Sequence, residues 1–186
     1  ELVDDDRRRW KDRHGTQGGA APYYNPLDER VQKAMRDVVR ELAQRYGHHR
    51  SWAGLSIDLS PDSFALLPGL EWGCDDRTVG RFLRETSGDG ATQQRVASLD
   101  KRQLLEGSLR QAWIDWRAKK IQELYGSLQA ELASARPDAQ LFLAGSDLID
   151  APAIRQALRP ALPRLTPLGD VLKEMGIDSE LYQDHP

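Results

Sequence analysis

Two short apolar segments separated by a long helical pattern constrain the fold of this chain more than any other feature. Trp52 to Leu59 and Ala139 to Ala144 are predicted as strands, because each is an apolar run bounded by turn-forming residues. Their apolar residues do not alternate strictly, which is typical of strands buried on both faces of a parallel sheet. Helical patterns lie between them, and a helical crossover joins parallel strands. The sequence therefore predicts an α/β fold with a parallel sheet.

The helix before the first strand is predicted to begin after the cap Asp28 and to end at Gly47. Its apolar residues recur three and four positions apart: Val31, Met35, Val38, Val39 and Leu42. A second helix follows a cap at Asp75 or Asp76 and ends near Ser87. The longest pattern covers 99–135, and short helices are predicted over 151–158 and 168–175. The polar stretch 88–98 is predicted as an exposed connection.

The chain length of 186 residues predicts one α/β domain over 1–186. Two or three strands are too few to close a sheet, and a complete (β/α)8 barrel takes roughly 250 residues. The chain also begins at Glu1 rather than at a methionine. We therefore expect the middle βα units of a TIM barrel, in a fragment of a longer parent chain that supplies the remaining barrel strands.

Composition excludes several classes of function. The 26 basic and 29 acidic side chains give a net charge of −3, which disfavours a nucleic-acid surface. No run approaches the roughly 18 apolar residues that span a bilayer. Cys74 is the only cysteine, so an intramolecular disulfide is impossible. The charges between Asp4 and Arg9 cancel, which predicts a solvated or frayed segment.

Asp58 ends the first predicted strand, where parallel α/β folds usually present their chemistry. The loop that follows is rich in proline, glycine and aromatic residues, and it carries Glu71 beside Trp72. A carboxylate at a strand end and a second one in the next loop favour a sugar-active enzyme.

Several motifs occur in an order and spacing that resemble the glycosyl-hydrolase-like proteins related to family 10 glycosidases. These motifs are the Tyr24–Asp28 turn, a helix ending Arg45-Tyr46-Gly47, the Trp52–Asp58 strand, the Asp75–Ser87 pattern and the Trp113–Arg117 helix. The resemblance covers roughly Tyr23 to Leu143. It implies a TIM barrel, a carbohydrate substrate and a secreted or periplasmic location. The sequence gives no other indication of the location.

Glycoside hydrolysis normally requires one protonated and one ionised carboxyl group. Asp58 and Glu71 are the candidate catalytic pair. The strand would hold Asp58 rigidly, and the apolar neighbours of Glu71 would suit a general acid. Each residue also has a structural alternative: Asp58 could cap a neighbouring amide, and Glu71 could be a solvent-exposed loop residue.

Four further residues are candidates for binding the substrate: Tyr24, Asn25, Trp72 and Asp147. The aromatic rings of Tyr24 and Trp72 could stack on a sugar, although core packing explains Tyr24 about as well. Asn25 and Asp147 could bond sugar hydroxyls, or they could form turns.

No metal or cofactor site is predicted. The sequence has no recurring metal-ligand spacing, no nucleophilic serine elbow, no phosphate loop and no dinucleotide fingerprint. Three functions remain as hypotheses: a two-carboxylate glycoside hydrolase, a non-catalytic carbohydrate-binding barrel, and a helical interaction module built on the long 99–135 helix.

Overall fold

The computed structural model describes residues 1–14, 23–60, 63–87, 100–145, 148, 154, 155 and 167–182. The elements in chain order are α1 (Trp10–His14), α2 (Glu29–Tyr46), β1 (Gly54–Asp58), α3 (Asp76–Ser87), α4 (Arg102–Leu105), α5 (Arg110–Ala135), β2 (Gln140–Ala144), α6 (Leu168–Glu174) and a 3-10 helix at Ser179–Tyr182.

The two strands form a parallel pair, with a register that runs from Gly54 opposite Gln140 to Asp58 opposite Ala144. Backbone hydrogen bonds continue the ladder at both ends. The Gln140 amide donates to the Ala53 carbonyl at 3.0 Å, and the Leu59 amide donates to the Ala144 carbonyl at 2.7 Å. The prediction of two parallel strands is confirmed.

The predicted TIM barrel is wrong. Within the described residues the sheet has only two strands, accompanied by six helices, so the structure is a small α/β fold. Two paired strands cannot enclose a barrel interior, which takes eight strands in a TIM barrel. The periodicity located the strands correctly, but it carried no information on how many strands pair.

Helix α2 matches the helix predicted between Asp28 and Gly47. The Asp28 carboxylate accepts the Arg30 amide at 2.9 Å and so caps the helix start. The Gly47 amide donates to the Ala43 carbonyl at 2.8 Å and closes the last turn. Val39 and Ala43 are buried on this helix, which packs against α5.

The helix predicted over 99–135 is two helices in the structure. Helix α4 ends at Leu105, Glu106 leaves the helical region with a φ of −129°, and α5 begins at Arg110. Helix α5 is the centre of the molecule because it buries a broad face, while Asp115, Lys119 and Glu123 are exposed on the opposite side. Its buried residues are Trp113, Ile114, Trp116, Arg117, Ala118, Ile121, Leu124, Tyr125, Leu128 and Leu132.

The segment 63–75 after β1, which the sequence predicts as an active-site loop, belongs to the core. Leu66, Leu67 and Cys74 have no exposed surface. The Tyr125 hydroxyl donates to the Ala65 carbonyl at 2.6 Å, and the Leu67 amide donates to the Met175 carbonyl at 3.0 Å. Hydrogen bonds from two other elements therefore fix this segment.

The charged amino-terminal run is also more ordered than predicted. Asp4 is completely buried, and its carboxylate accepts the Arg8 amide at 2.7 Å. The guanidinium groups of Arg8 and Arg13 lie 3.2 and 3.4 Å from the same carboxylate. The prediction of a solvated or frayed segment is wrong at Asp4, because its negative charge is neutralised inside the fold.

Two predicted segments lie wholly or largely outside the described residues. The connection at 88–98 is one of them. Of the helix predicted over 151–158, only residues 154 and 155 are described, and both are helical. The helix predicted over 168–175 is present as α6.

Candidate functional site

A cleft of about 760 Å³ lies between helix α2 and the sheet. Helix α2 forms one wall, because its contact with α5 leaves part of its apolar stripe uncovered. The stripe residues that line the cleft are Val31, Ala34, Met35, Val38, Val39 and Leu42. Val38 is 56% exposed although it is an aliphatic residue. The apolar face of α2 is therefore only partly covered.

The opposite wall is formed mainly by β1. Leu55, Ser56 and Ile57 line the cleft together with Leu141 of β2 and Leu128 of α5. Successive strand residues point to opposite faces of a sheet. A cleft that contacts three successive residues of β1 must therefore run along the edge of this strand.

The mouth of the cleft carries an aromatic pair. Tyr24 is 44% exposed, and its ring packs edge-on against Phe64 with centroids 5.2 Å apart. Both residues line the cleft. Tyr24 is thus one of the predicted substrate-binding residues that line this cleft, and it is exposed there.

The polar residues at the cleft are already engaged with one another. Arg30 donates to Asp28 through two side-chain hydrogen bonds of 3.0 and 2.6 Å. The hydrogen bond from Arg30 is the main cause that holds the pKa of Asp28 below its usual value. Glu1 accepts the Lys11 amide at 3.3 Å. Few polar side chains are left for a ligand, so the side-chain lining of the cleft suits an apolar one.

Asn25 lines the cleft, but its amide is used inside the protein. It is 3% exposed, and its nitrogen donates to Asp75 at 2.8 Å and to Thr78 at 2.9 Å. Its oxygen accepts the Leu27 amide at 3.0 Å. These bonds tie the start of α2 to the start of α3, and they leave no free donor for a sugar hydroxyl.

The proposed catalytic carboxylates lie in different surroundings. Asp58 is exposed at the end of β1, opposite Ala144. Glu71 is half-buried and folds back over Gly69, where an added Cβ would lie 2.6 Å from Glu71 Oε2. Neither residue lines the cleft.

The position of Glu71 is explained by the buried Arg117. This guanidinium donates to the carbonyls of Gly69 and Leu70 at 2.8 Å each. Burial lowers the pKa of Arg117 to about 10, and the negative charges of Glu71 and Glu174 oppose that shift. Glu71 thus supplies negative charge near a cation that has no exposed surface.

Trp72 and Asp147 complete the predicted site residues. Trp72 is 3% exposed, lies 4.8 Å from the Trp10 ring between centroids, and has the Arg13 guanidinium 5.4 Å from its ring centre. It packs in the core rather than presenting a face to a ligand. Asp147 lies outside the described residues.

The described residues show little sign of other chemistry. Burial raises the pKa of Cys74 to about 12, so its thiol is protonated at neutral pH and is a poor nucleophile. No group of three metal-binding side chains occurs among the residues that the structure describes. In the same ranges, no helix has both the length and the apolar character to cross a membrane.

The sequence analysis did not predict the cleft, because the apolar spacing of α2 identifies a helix without showing what covers its apolar face. One signal could have shown it: the stripe contains the adjacent residues Val38 and Val39. Adjacent helical residues point about 100° apart, so one packing partner cannot cover both. In the structure Val39 is buried and Val38 is exposed.

Comparison with known proteins gives no relative for this chain: no protein-family model, no curated protein and no solved structure matches it.

Proposed function

We propose that this chain is a binding module that holds an apolar partner in the cleft between α2 and β1. The observation that carries the proposal is the exposed apolar lining of the cleft, with Val38 at 56% exposure on one wall. Burying apolar surface stabilises a complex by about 25 cal/mol per Å² before the costs of association. A large, mostly apolar concavity is the usual form of a binding site.

The chemistry of the cleft favours an apolar partner over a sugar. Sugar hydroxyls need hydrogen-bond donors and acceptors, and leaving them unpaired in a binding site is costly. Here Asn25 is bonded to Asp75, Thr78 and Leu27, and Asp28 is bonded to Arg30. An aliphatic or aromatic group requires none of these bonds.

The substitution Val38→Glu tests the proposal. Val38 is exposed, so the change should leave folding intact, but it places a charge on the apolar wall. Anilinonaphthalene sulfonate, a dye that fluoresces on apolar surface, serves as the probe. We expect its affinity for the variant to fall about tenfold, because a contact worth about 1.4 kcal/mol is lost.

Gln44→Glu is the matched control, since Gln44 is exposed on the same helix and does not line the cleft. Circular dichroism establishes that both variants are folded. Equal dye affinity for the two variants would show that the cleft is not the binding site.

Hydrolysis of an oligosaccharide is the second candidate function, and one observation favours it. Asp58 is exposed at the carboxyl end of β1, which is where parallel sheets commonly place catalytic groups. Hydrolysis also requires a second carboxyl group in the same site. Reducing-end release from oligosaccharides by the full chain, abolished by Asp58→Asn, would support this candidate, and no release above that of the variant would exclude it for the substrates tested.

A further inference from the structure

Among the described residues, none forms a backbone hydrogen bond with the edge of β1 that faces away from β2. In a parallel ladder, alternate residues of a strand bond to its neighbour, and the residues between them face away. The bonds from Gln140 to Ala53 and from Leu59 to Ala144 set this alternation. The backbone groups of Gly54, Ser56 and Asp58 therefore point away from β2. Ser56 and Asp58 are exposed, and the backbone of neither bonds to another described residue outside the strand pair.

This edge of β1 and the apolar cleft are continuous. Ser56 lies at the centre of β1, and it lines the cleft together with Leu55 and Ile57. The side chains of Leu55 and Ile57 point to the α2 side of the sheet, since Leu55 is paired with Leu141, which lines the same cleft. A ligand in the cleft would thus contact apolar side chains and reach the unpaired amides at the same time.

We propose that the partner in the cleft is an extended segment of another polypeptide, which adds to the sheet as a strand beside β1. This inference rests on the proposed binding function and specifies its ligand. A peptide backbone supplies donors and acceptors at the repeat of a strand, whereas an apolar small molecule or a helix would leave the edge amides unpaired. Every second side chain of the added strand would enter the cleft, which selects apolar residues at those positions.

The architecture of the sheet gives an independent reason. Parallel strands normally lie inside larger sheets, and a two-stranded sheet is marginal in water. Phe142 of β2 is 48% exposed, so the sheet also has an uncovered face. A third strand would give β1 a neighbour on each side, as a central strand of a parallel sheet has.

The test uses the full chain and a fluorescent synthetic peptide with the sequence of residues 139–145. Residues 140–144 of this sequence already pair with β1 along its other edge in the structure. Ser56→Pro removes the outward amide and leaves the bonds between β1 and β2 in place, because proline is tolerated at a strand edge. Ser56→Ala is the matched control, since it removes only the hydroxyl. We expect Ser56→Pro to weaken peptide binding about tenfold or more relative to Ser56→Ala.

A second measurement keeps the test valid if the proline variant does not fold. Two versions of the peptide are used: one is methylated on the backbone nitrogens of its odd-numbered residues, and the other on those of its even-numbered residues. A strand beside β1 directs one of these two sets of amides towards Ser56 and the other set towards solvent. We therefore expect one version to lose binding to the wild-type chain and the other to retain it.

The outcomes separate this inference from the function on which it rests. If Val38→Glu weakens binding while Ser56→Pro and both methylated peptides bind normally, strand addition is excluded and apolar binding stands. Dye binding without any peptide binding up to about 1 mM would likewise overturn strand addition. If Val38→Glu affects neither probe, the proposed function itself fails.

Discussion

Glu85 shows how tertiary contacts set the charge of a single residue. Its carboxylate lies 2.7 Å from Arg81 Nε and 2.8 Å from Lys120 Nζ, and it accepts a hydrogen bond from the Trp116 indole at 2.9 Å. Burial raises the pKa of Glu85, but the hydrogen bonds from Lys120, Arg81 and Trp116 together outweigh it and lower the pKa from 4.5 to about 2. These contacts join α3 to α5.

The stability that Glu85 contributes should depend on pH. Because its pKa is lower in the folded protein, the contribution is complete above the unfolded pKa of 4.5 and is lost as the pH falls towards about 2. The side chain is 35% exposed, so solvent screening limits the contribution to about 1 kcal/mol. Glu85→Gln should therefore lower the free energy of unfolding at pH 7 and flatten its dependence on pH between 4.5 and 2.

Urea unfolding at several pH values measures this effect. Glu106→Gln is the control, since Glu106 is exposed. If the two variants have the same stability at pH 7 and the same dependence on pH, the ion-pair cluster at Glu85 does not stabilise the fold.

Residue types alone predicted some local roles and not others. Asp28 was predicted as a helix cap from its position, and the Arg30 amide bond confirms it. Asn25 and Trp72 were assigned to a substrate wall from their polarity and shape. Their actual neighbours, Asp75 for Asn25 and Trp10 for Trp72, are 50 and 62 positions away along the chain, so no local pattern could identify them.

At the scale of elements, the pairing of β1 with β2 depends on Gly54. Its φ is +149°, a conformation that residues with a side chain rarely adopt. A Cβ at this position would lie 1.8 Å from the Gln140 carbonyl oxygen. A side chain here is therefore incompatible with the first residue pair of the sheet, Gly54 opposite Gln140.

Substitution of Gly54 by alanine should destabilise the protein by about 3 kcal/mol or more, because it combines backbone strain with the loss of strand pairing. Gly126→Ala is a matched change within α5, where no atom other than the neighbouring residues and backbone of the same helix lies within 4 Å of the added Cβ. It should stabilise the helix by about 1 kcal/mol. Thermal unfolding compares the two variants. If both substitutions raise the unfolding temperature, or both lower it, this account of the sheet is contradicted.

Periodicity located most elements but not their breaks. Helices α2 and α3 and both strands lie where the sequence predicts them. The break between α4 and α5 was missed, because the apolar residues Leu105 and Leu109 continue the helical pattern across it. A four-residue spacing is compatible with a helix but does not require one.

At the scale of the whole molecule, the segment 63–75 connects the helices to one another. Tyr125 bonds to the Ala65 carbonyl, the Leu67 amide bonds to Met175, and Arg117 bonds to the Gly69 and Leu70 carbonyls. The segment is thus fixed by α5 along much of its length and by the end of α6. Its burial explains why Trp72 serves packing rather than an open site, whereas Phe64 near the start of the segment lines the cleft.

Arg117→Lys should lower the free energy of unfolding by about 2 kcal/mol. A guanidinium can donate to two adjacent carbonyls from its planar fork, whereas an ammonium group on a lysine stem cannot reproduce both bonds. The Trp113 ring, 5.5 Å from the Arg117 guanidinium carbon, would also lose its cation contact.

Tryptophan fluorescence during urea unfolding reports this change. Lys119→Arg, an exposed exchange on the same helix, should stay within about 0.5 kcal/mol of the wild type. If Arg117→Lys changes the free energy of unfolding by a similarly small amount, the two hydrogen bonds from the guanidinium group do not hold the 63–75 segment.

The sequence by itself determined the positions of the strands, their parallel pairing, the ends of α2 and the long helical pattern that contains α5. These features follow from contacts between near neighbours and from the periodicity of apolar residues, which one chain displays directly. Only the tertiary structure decided the number of paired strands, the burial of Trp72, the partial burial of Glu71 and the cleft beside β1. Each of these depends on contacts between residues far apart in the chain, and burial or exposure there is set by which elements meet rather than by the residues' own types.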